Sequence, residues 1–87
     1  MDEKTGNRFE LSQDGRNRLS EGKTQEAYEI FFALWNKKER SQWDGYYLAL
    51  CLNRLGKLDQ TLTLCRRVME TYPEFRQIIG VFLFAMY

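Results

Sequence analysis

The stretch EGKTQEAYEIF, residues 21–31, returns in outline 34 residues later as LGKLDQTLTLC, residues 55–65. Gly56 and Lys57 repeat Gly22 and Lys23, while Thr61 and Cys65 stand in the places of Ala27 and Phe31. Self-similarity at a fixed period is what a chain of stacked supersecondary units leaves in its sequence, and this period leaves room for two short helices and their turns. Each glycine separates two helical patterns by a very short turn, which forces antiparallel neighbours to pack face to face. Small residues at Ala27, Ala49 and Thr61 would let those helices approach closely.

The rest of the chain extends this pattern to five helices. No stretch alternates polar and apolar residues long enough to read as a half-buried strand, and the one proline is Pro73. A weak helix over 9–20 carries Phe9, Leu11 and Leu19, is weakened by Gly15, and closes at Gly22. Thr24 is expected to cap a second helix running to about Asn36, with Ala27, Ile30, Phe31, Leu34 and Trp35 as its apolar stripe. Ser41 and Asp44 form a capping box for a third helix, rich in aromatics, that ends before Gly56. Asp59 is expected to cap a fourth, which stops before Pro73 and turns Leu62, Leu64, Cys65, Val68 and Met69 inward. Proline suits a first helical turn, so a fifth helix is expected over 74–87.

Composition narrows the function classes. Thirteen basic against twelve acidic residues leave a net charge of +1, too little for a bulk field that attracts nucleic acid or anionic lipid. The basic pairs, such as Lys37 with Lys38 and Arg66 with Arg67, read as solvated helix surface. The chain has no histidine and two cysteines outside any CxxC pattern, so a zinc site lacks ligands, and Cys51 and Cys65 read as buried free thiols. That usage suits a reducing compartment, and the polar N-terminus lacks the apolar core of a secretory signal, so a cytoplasmic location is expected. The run IIGVFLFAMY is about half the length of a membrane span.

With this pattern the chain resembles the tetratricopeptide repeat family, which has the same period. In the first repeat Leu11, Gly15, Gly22, Ala27 and Phe31 match its motif, while Arg18 and Glu39 replace the aromatic and the proline. In the second, Leu48, Ala49, Leu52 and Pro73 match, Thr61 and Cys65 are reduced substitutes, and Gly45 occupies the tryptophan place. The resemblance implies an all-α solenoid of antiparallel helix hairpins with about two and a half repeats. A flexible lead (1–7) would precede repeats at 8–41 and 42–74, and 75–87 would open an incomplete third repeat or cap the array. An unrelated helical bundle whose glycines merely cap two helices is the alternative.

Nothing points to an enzyme. No nucleophile has a base at helical spacing, and LGKL lacks the first glycine of a phosphate loop. No cofactor or metal is implied. The family generally binds peptides or proteins in the groove lined by the first helix of each repeat. The resemblance puts Phe9, Ser12, Arg16 and Leu19 there from the first repeat, and Trp43, Tyr46, Tyr47, Leu50, Asn53 and Arg54 from the second. Aromatics and arginine are favoured interface anchors. The lysine and asparagine clamp by which one branch grips chaperone tails is absent, since its places fall on Ser12, Arg16 and Tyr47.

The expectation is therefore a non-enzymatic interaction module, the N-terminal part of a longer protein, with a protein or peptide partner. A small helical adaptor that homodimerises through its last helix is the second reading, and a helical nucleic-acid binder the third. In that last helix the register assigns Phe82, Leu83 and Met86 to the contact with the second repeat. Ile78, Val81, Phe84 and Ala85 are left as a self-association face, or one covered by a continuation of the chain.

Overall fold

The structure, a computed structural model, describes the backbone of residues 3–38 and 40–86 and the side chains of residues 10–38 and 40–85. Phe9, Glu39 and Met86 therefore lie outside the described side chains. Five helices follow one another: α1 (Glu3–Ser20), α2 (Thr24–Trp35), α3 (Gln42–Arg54), α4 (Leu58–Thr71) and α5 (Gln77–Met86). The fold is all-α, with no strand among the described residues. None of these helices is long and apolar enough to cross a membrane.

The two glycine turns explain the recurrence in the sequence. Gly22 and Gly56 have φ of 84° and 79°, a left-handed backbone that favours glycine. Around Gly22, the amide of Lys23 donates to the carbonyl of Arg18 at 2.8 Å and the amide of Gly22 donates to that of Leu19 at 3.1 Å. Around Gly56, Lys57 donates to Leu52 at 2.9 Å and Gly56 to Asn53 at 3.1 Å. Both are Schellman ends. The carbonyl of each lysine then accepts the first bond of the next helix, from Ala27 and from Thr61, both at 3.0 Å. One residue thus ends one helix and starts another, and these three bonds of the first turn each have a counterpart 34 residues on. Thr24 and Asp59 were expected to cap α2 and α4, but the capping positions belong to Lys23 and Lys57, which act through their backbone. Only one residue separates each glycine from the next helix, which leaves Thr24 and Asp59 already inside it.

The α3 start follows the expected capping box, with the Ser41 amide donating to Asp44 Oδ2 at 2.9 Å. Arg40 lies over the Trp35 ring at 4.2 Å, and the Tyr72 hydroxyl donates to the Arg40 carbonyl at 3.4 Å, which ties the connector to both hairpins. α1 begins at Glu3, so residues 3–7, expected as a flexible lead, have helical backbone. That segment is polar and carries no apolar period from which a helix could be read. α5 begins at Gln77 rather than 74. Phe75, 5% exposed, is held against Trp43 and Tyr46, and the amide of Phe75 donates to the Tyr72 carbonyl at 3.0 Å in a turn.

Facing pairs fix the hairpin direction. Arg18 meets Glu26, and Gly15 lies under Ile30 and Phe31, so α1 and α2 run in opposite directions. Each helix packs on the next in sequence. In addition α1 touches α3 and α3 touches α5, whereas the backbones of α2 and α4 are held apart. Two layers result, α1/α3/α5 and α2/α4, in a slab of 45 × 28 × 17 Å. The core runs between them through Ala27, Phe31, Leu34, Ala49, Cys51, Cys65, Val68 and Ile78.

The last helix departs from its expected orientation. Ile78, Val81 and Ala85 are buried, while Ile79 and Leu83 are exposed. The expected self-association face therefore keeps only Phe84. The cause is visible at the 34-residue offset. Ile78, Val81 and Ala85 correspond to Asp44, Tyr47 and Cys51, the side of α3 packed on the preceding hairpin, where Tyr47 stacks on Phe31. Leu83 corresponds to Ala49 and Ile79 to Gly45, and Gly45 lies between Val68 of the helix that follows and Trp35 of the one before. The side of α5 that turns inward is thus the opposite of the expected one.

Candidate interaction surface

The α1/α3/α5 layer presents a stripe on α3 made of Trp43, Tyr46, Leu50 and Arg54, spaced by three or four residues and hence on one side of the helix. Glycine and leucine at 45, 48 and 52 face the other layer, so this stripe is directed away from it. Trp43 is 41% exposed and meets Phe75 edge-on at 4.9 Å and Tyr46 at 5.5 Å. Tyr46 meets Tyr47 edge-on at 5.1 Å, and Tyr47 stacks on Phe31 at 5.1 Å. The exposed ring is thereby the end of a chain of rings that leads into the core. Little side-chain freedom remains to be lost on binding, which favours contact through rigid aromatics.

Arg16 reaches this stripe from α1. Its guanidinium carbon lies 5.9 Å from the centre of the Tyr47 ring, and its Nη2 donates to Gln13 Oε1 at 2.9 Å. The Nε is buried without a hydrogen-bond partner, and the cation–π contact with Tyr47 is a weak one at that distance. Arg54 donates from Nη1 to the carbonyl of Leu19 at 3.2 Å and is otherwise exposed. By contrast Arg18 is spent on Asp14 and Glu26, which push its pKa up and leave no free charge.

Of the residues expected in the groove, the structure brings together Arg16, Trp43, Tyr46, Tyr47, Leu50 and Arg54. Leu19 does not join them as a contact residue: at 6% exposure it belongs to the core, because it lies on the α1 face turned to the other helices. Tyr47 is half-buried and serves mainly to link Arg16 to Phe31. Phe9 lies outside the described side chains. Sequence reasoning missed Phe75 and Gln13, whose parts depend on the turn before α5 and on the rotamer of Arg16.

A concavity of about 430 Å³ lies on the opposite side. It separates α2 from α4, with Leu48 and Leu52 as its floor and Tyr28, Phe32 and Leu64 among its walls. Phe32, 50% exposed and stacked on Tyr28 at 5.6 Å, is one step off the buried stripe of α2. The adjacent pair Phe31 and Phe32 signals this in the sequence, since a helix can bury only one of two neighbours on a narrow stripe.

The cysteines contribute no reactive group. Both are free and buried, and burial pushes their thiols up to about 11, which the charge of Arg54 only partly opposes at Cys51. The unfolded chain would release these protons from the ordinary thiol value near 8.5 upward. The native chain holds them, so stability is full below that value and declines as pH rises towards 11. Urea unfolding is therefore expected to show a lower midpoint at pH 10 than at pH 8, and Cys51→Ala with Cys65→Ala should flatten that difference. A thiol reagent should label the native chain only at the rate of its opening. No family model, curated protein or solved structure matches the chain.

Proposed function

We propose that this chain is a helical-hairpin repeat module of the tetratricopeptide kind that binds a protein or peptide through its α1/α3/α5 layer. The observation that carries the reading is the stripe of Trp43, Tyr46 and Leu50 flanked by Arg16 and Arg54, aromatic anchors with a cation at each margin. An exposed aromatic fixed by its neighbours supplies contact area, and the arginines add directed donors for a carboxylate. The chemistry that fits is an apolar segment carrying acidic residues. The twofold recurrence of the glycine turn supports the repeat reading, because both turns make the same two closing bonds and the same first bond of the next helix.

Selection from a displayed library of random dodecapeptides tests this. Enriched peptides are expected to combine aromatic or aliphatic residues with Asp or Glu. Their affinity should fall at least about tenfold with Trp43→Ala or Arg16→Ala while the helical circular dichroism is kept. Lys37→Ala and Arg66→Ala should bind like the parent. If Phe32→Ala or Leu64→Ala abolishes binding and Trp43→Ala does not, the groove between α2 and α4 is the site and the reading fails.

A further inference from the structure

The groove between α2 and α4 has a direction. Trp35 meets Gly45 and Phe31 meets Tyr47, so α2 runs against α3, and the Gly56 turn folds α4 back on α3 so that Val68 also reaches Gly45. Both walls therefore run the same way. Two charged residues line the groove, Asp59 where the walls begin and Arg67 at the level of Trp35 and Asn36, where α2 finishes. They are eight residues apart, or about 12 Å along the helix. Both are exposed, and neither the carboxylate nor the guanidinium has a partner among the described residues. Between the two charges the surface is mainly apolar, with Phe32, Leu48, Leu52 and Leu64. The side chains of Asn36 and Thr63 turn back onto their own helices, Asn36 Nδ2 donating to the Phe32 carbonyl at 2.8 Å and Thr63 Oγ1 to the Asp59 carbonyl at 3.0 Å.

We propose that this groove takes an amphipathic helix of a partner protein, laid antiparallel to α2 and α4. An acidic residue in its early part meets Arg67, and a basic residue two turns later meets Asp59. Two observations select that occupant. The first is the lining. An extended peptide would set its backbone amides and carbonyls on leucine and phenylalanine side chains that can neither donate nor accept, whereas a helix satisfies its own backbone and needs only an apolar face. The second is charge complementarity. Unpaired charges of opposite sign at the two ends ask for the opposite signs in the occupant, at a spacing that two helical turns supply. They also set its direction. Antiparallel to the walls, the helix carries its acid towards its own N-terminus and its base towards its C-terminus, the arrangement its dipole favours, and the parallel direction would reverse both.

Selection from a library of alanine-rich helices of about 18 residues, with one face randomised, tests this against the 87-residue chain. Enriched helices are expected to carry Asp or Glu first, apolar residues on the turn between, and Lys or Arg about seven residues after the acid. A proline placed at their centre should abolish binding. Arg67→Glu should weaken it about fivefold, and exchanging the acid of the helix for lysine should restore it. Phe32→Ala should weaken it about tenfold with unchanged circular dichroism, while Trp43→Ala, on the other layer, should leave it unchanged. No enrichment, enrichment with the charges reversed or missing, a proline variant that binds as well, Arg67→Glu or Phe32→Ala without effect, or loss of binding in Trp43→Ala would each overturn the proposal. Peptide binding at the Trp43 stripe is read in a separate assay, and neither result depends on the other.

Discussion

Phe31→Ala is expected to destabilise the chain by about 3–5 kcal/mol, the range for removing a fully buried phenylalanine. Phe31 is 0% exposed, stacks on Tyr47 at 5.1 Å, and lies over Gly15, so three helices lose packing together. A chain of this length has only roughly 4–13 kcal/mol of stability, and the variant should unfold at a much lower urea concentration. The contact with Gly15 can be isolated by a double-mutant cycle. Gly15→Ala alone gains up to about 1 kcal/mol of helix propensity. Its Cβ would however lie 2.7 and 2.8 Å from two ring carbons of Phe31, and that ring is held by Tyr47. Overpacking of this kind costs about 1–3 kcal/mol, so the single variant is expected to destabilise. In the Phe31→Ala background only Ile30 Cγ2, at 3.2 Å, remains close, and the same change should no longer destabilise, gaining up to about 1 kcal/mol. If Gly15→Ala has the same effect in both backgrounds, the two residues are not in contact.

The hairpins were legible in the sequence because local chemistry decides them. A glycine with positive φ ends a helix wherever it falls, and the Ser41 and Asp44 pair caps by its own spacing. The stripe through Ala27, Phe31, Leu34 and Trp35 needs only helical period to be read as core, and all four are buried. The caps at Thr24 and Asp59 were misread because each glycine turn leaves a single lysine before the next helix, so both residues fall inside it. α5 was misread because Ile78 through Phe84 is apolar all round apart from Gly80, and a helix without a polar face does not declare which side turns inward. Its orientation is decided by α3 and α4, on which it packs. The interaction stripe was legible as composition on one face of α3. The link from Trp43 to Phe75 spans a turn whose conformation no local signal fixes.

The second large effect concerns Gly45, which stands where the resemblance puts tryptophan. Restoring that residue would be a stabilising consensus change if the site had room for it. It has none. A Cβ at Gly45 would lie 2.7 Å from Val68 Cγ2 and 2.8 Å from Trp35 Cζ3, and both neighbours are buried core residues. Trp35, from the end of α2, already fills the space beside α3, held in turn by Arg40 over its outer face at 4.2 Å. Gly45→Trp is therefore expected to destabilise by about 3 kcal/mol or more, at or beyond the upper end of ordinary overpacking. The ring at residue 35 is the main obstacle, so Trp35→Ala should relieve part of that cost, and the double variant should be more stable than the sum of the two singles implies. Urea midpoints of the four chains measure the cycle. If Gly45→Trp is neutral or stabilising, α2 and α4 do not close on Gly45, and the packing that sets the spacing of the two hairpins is wrong at its centre.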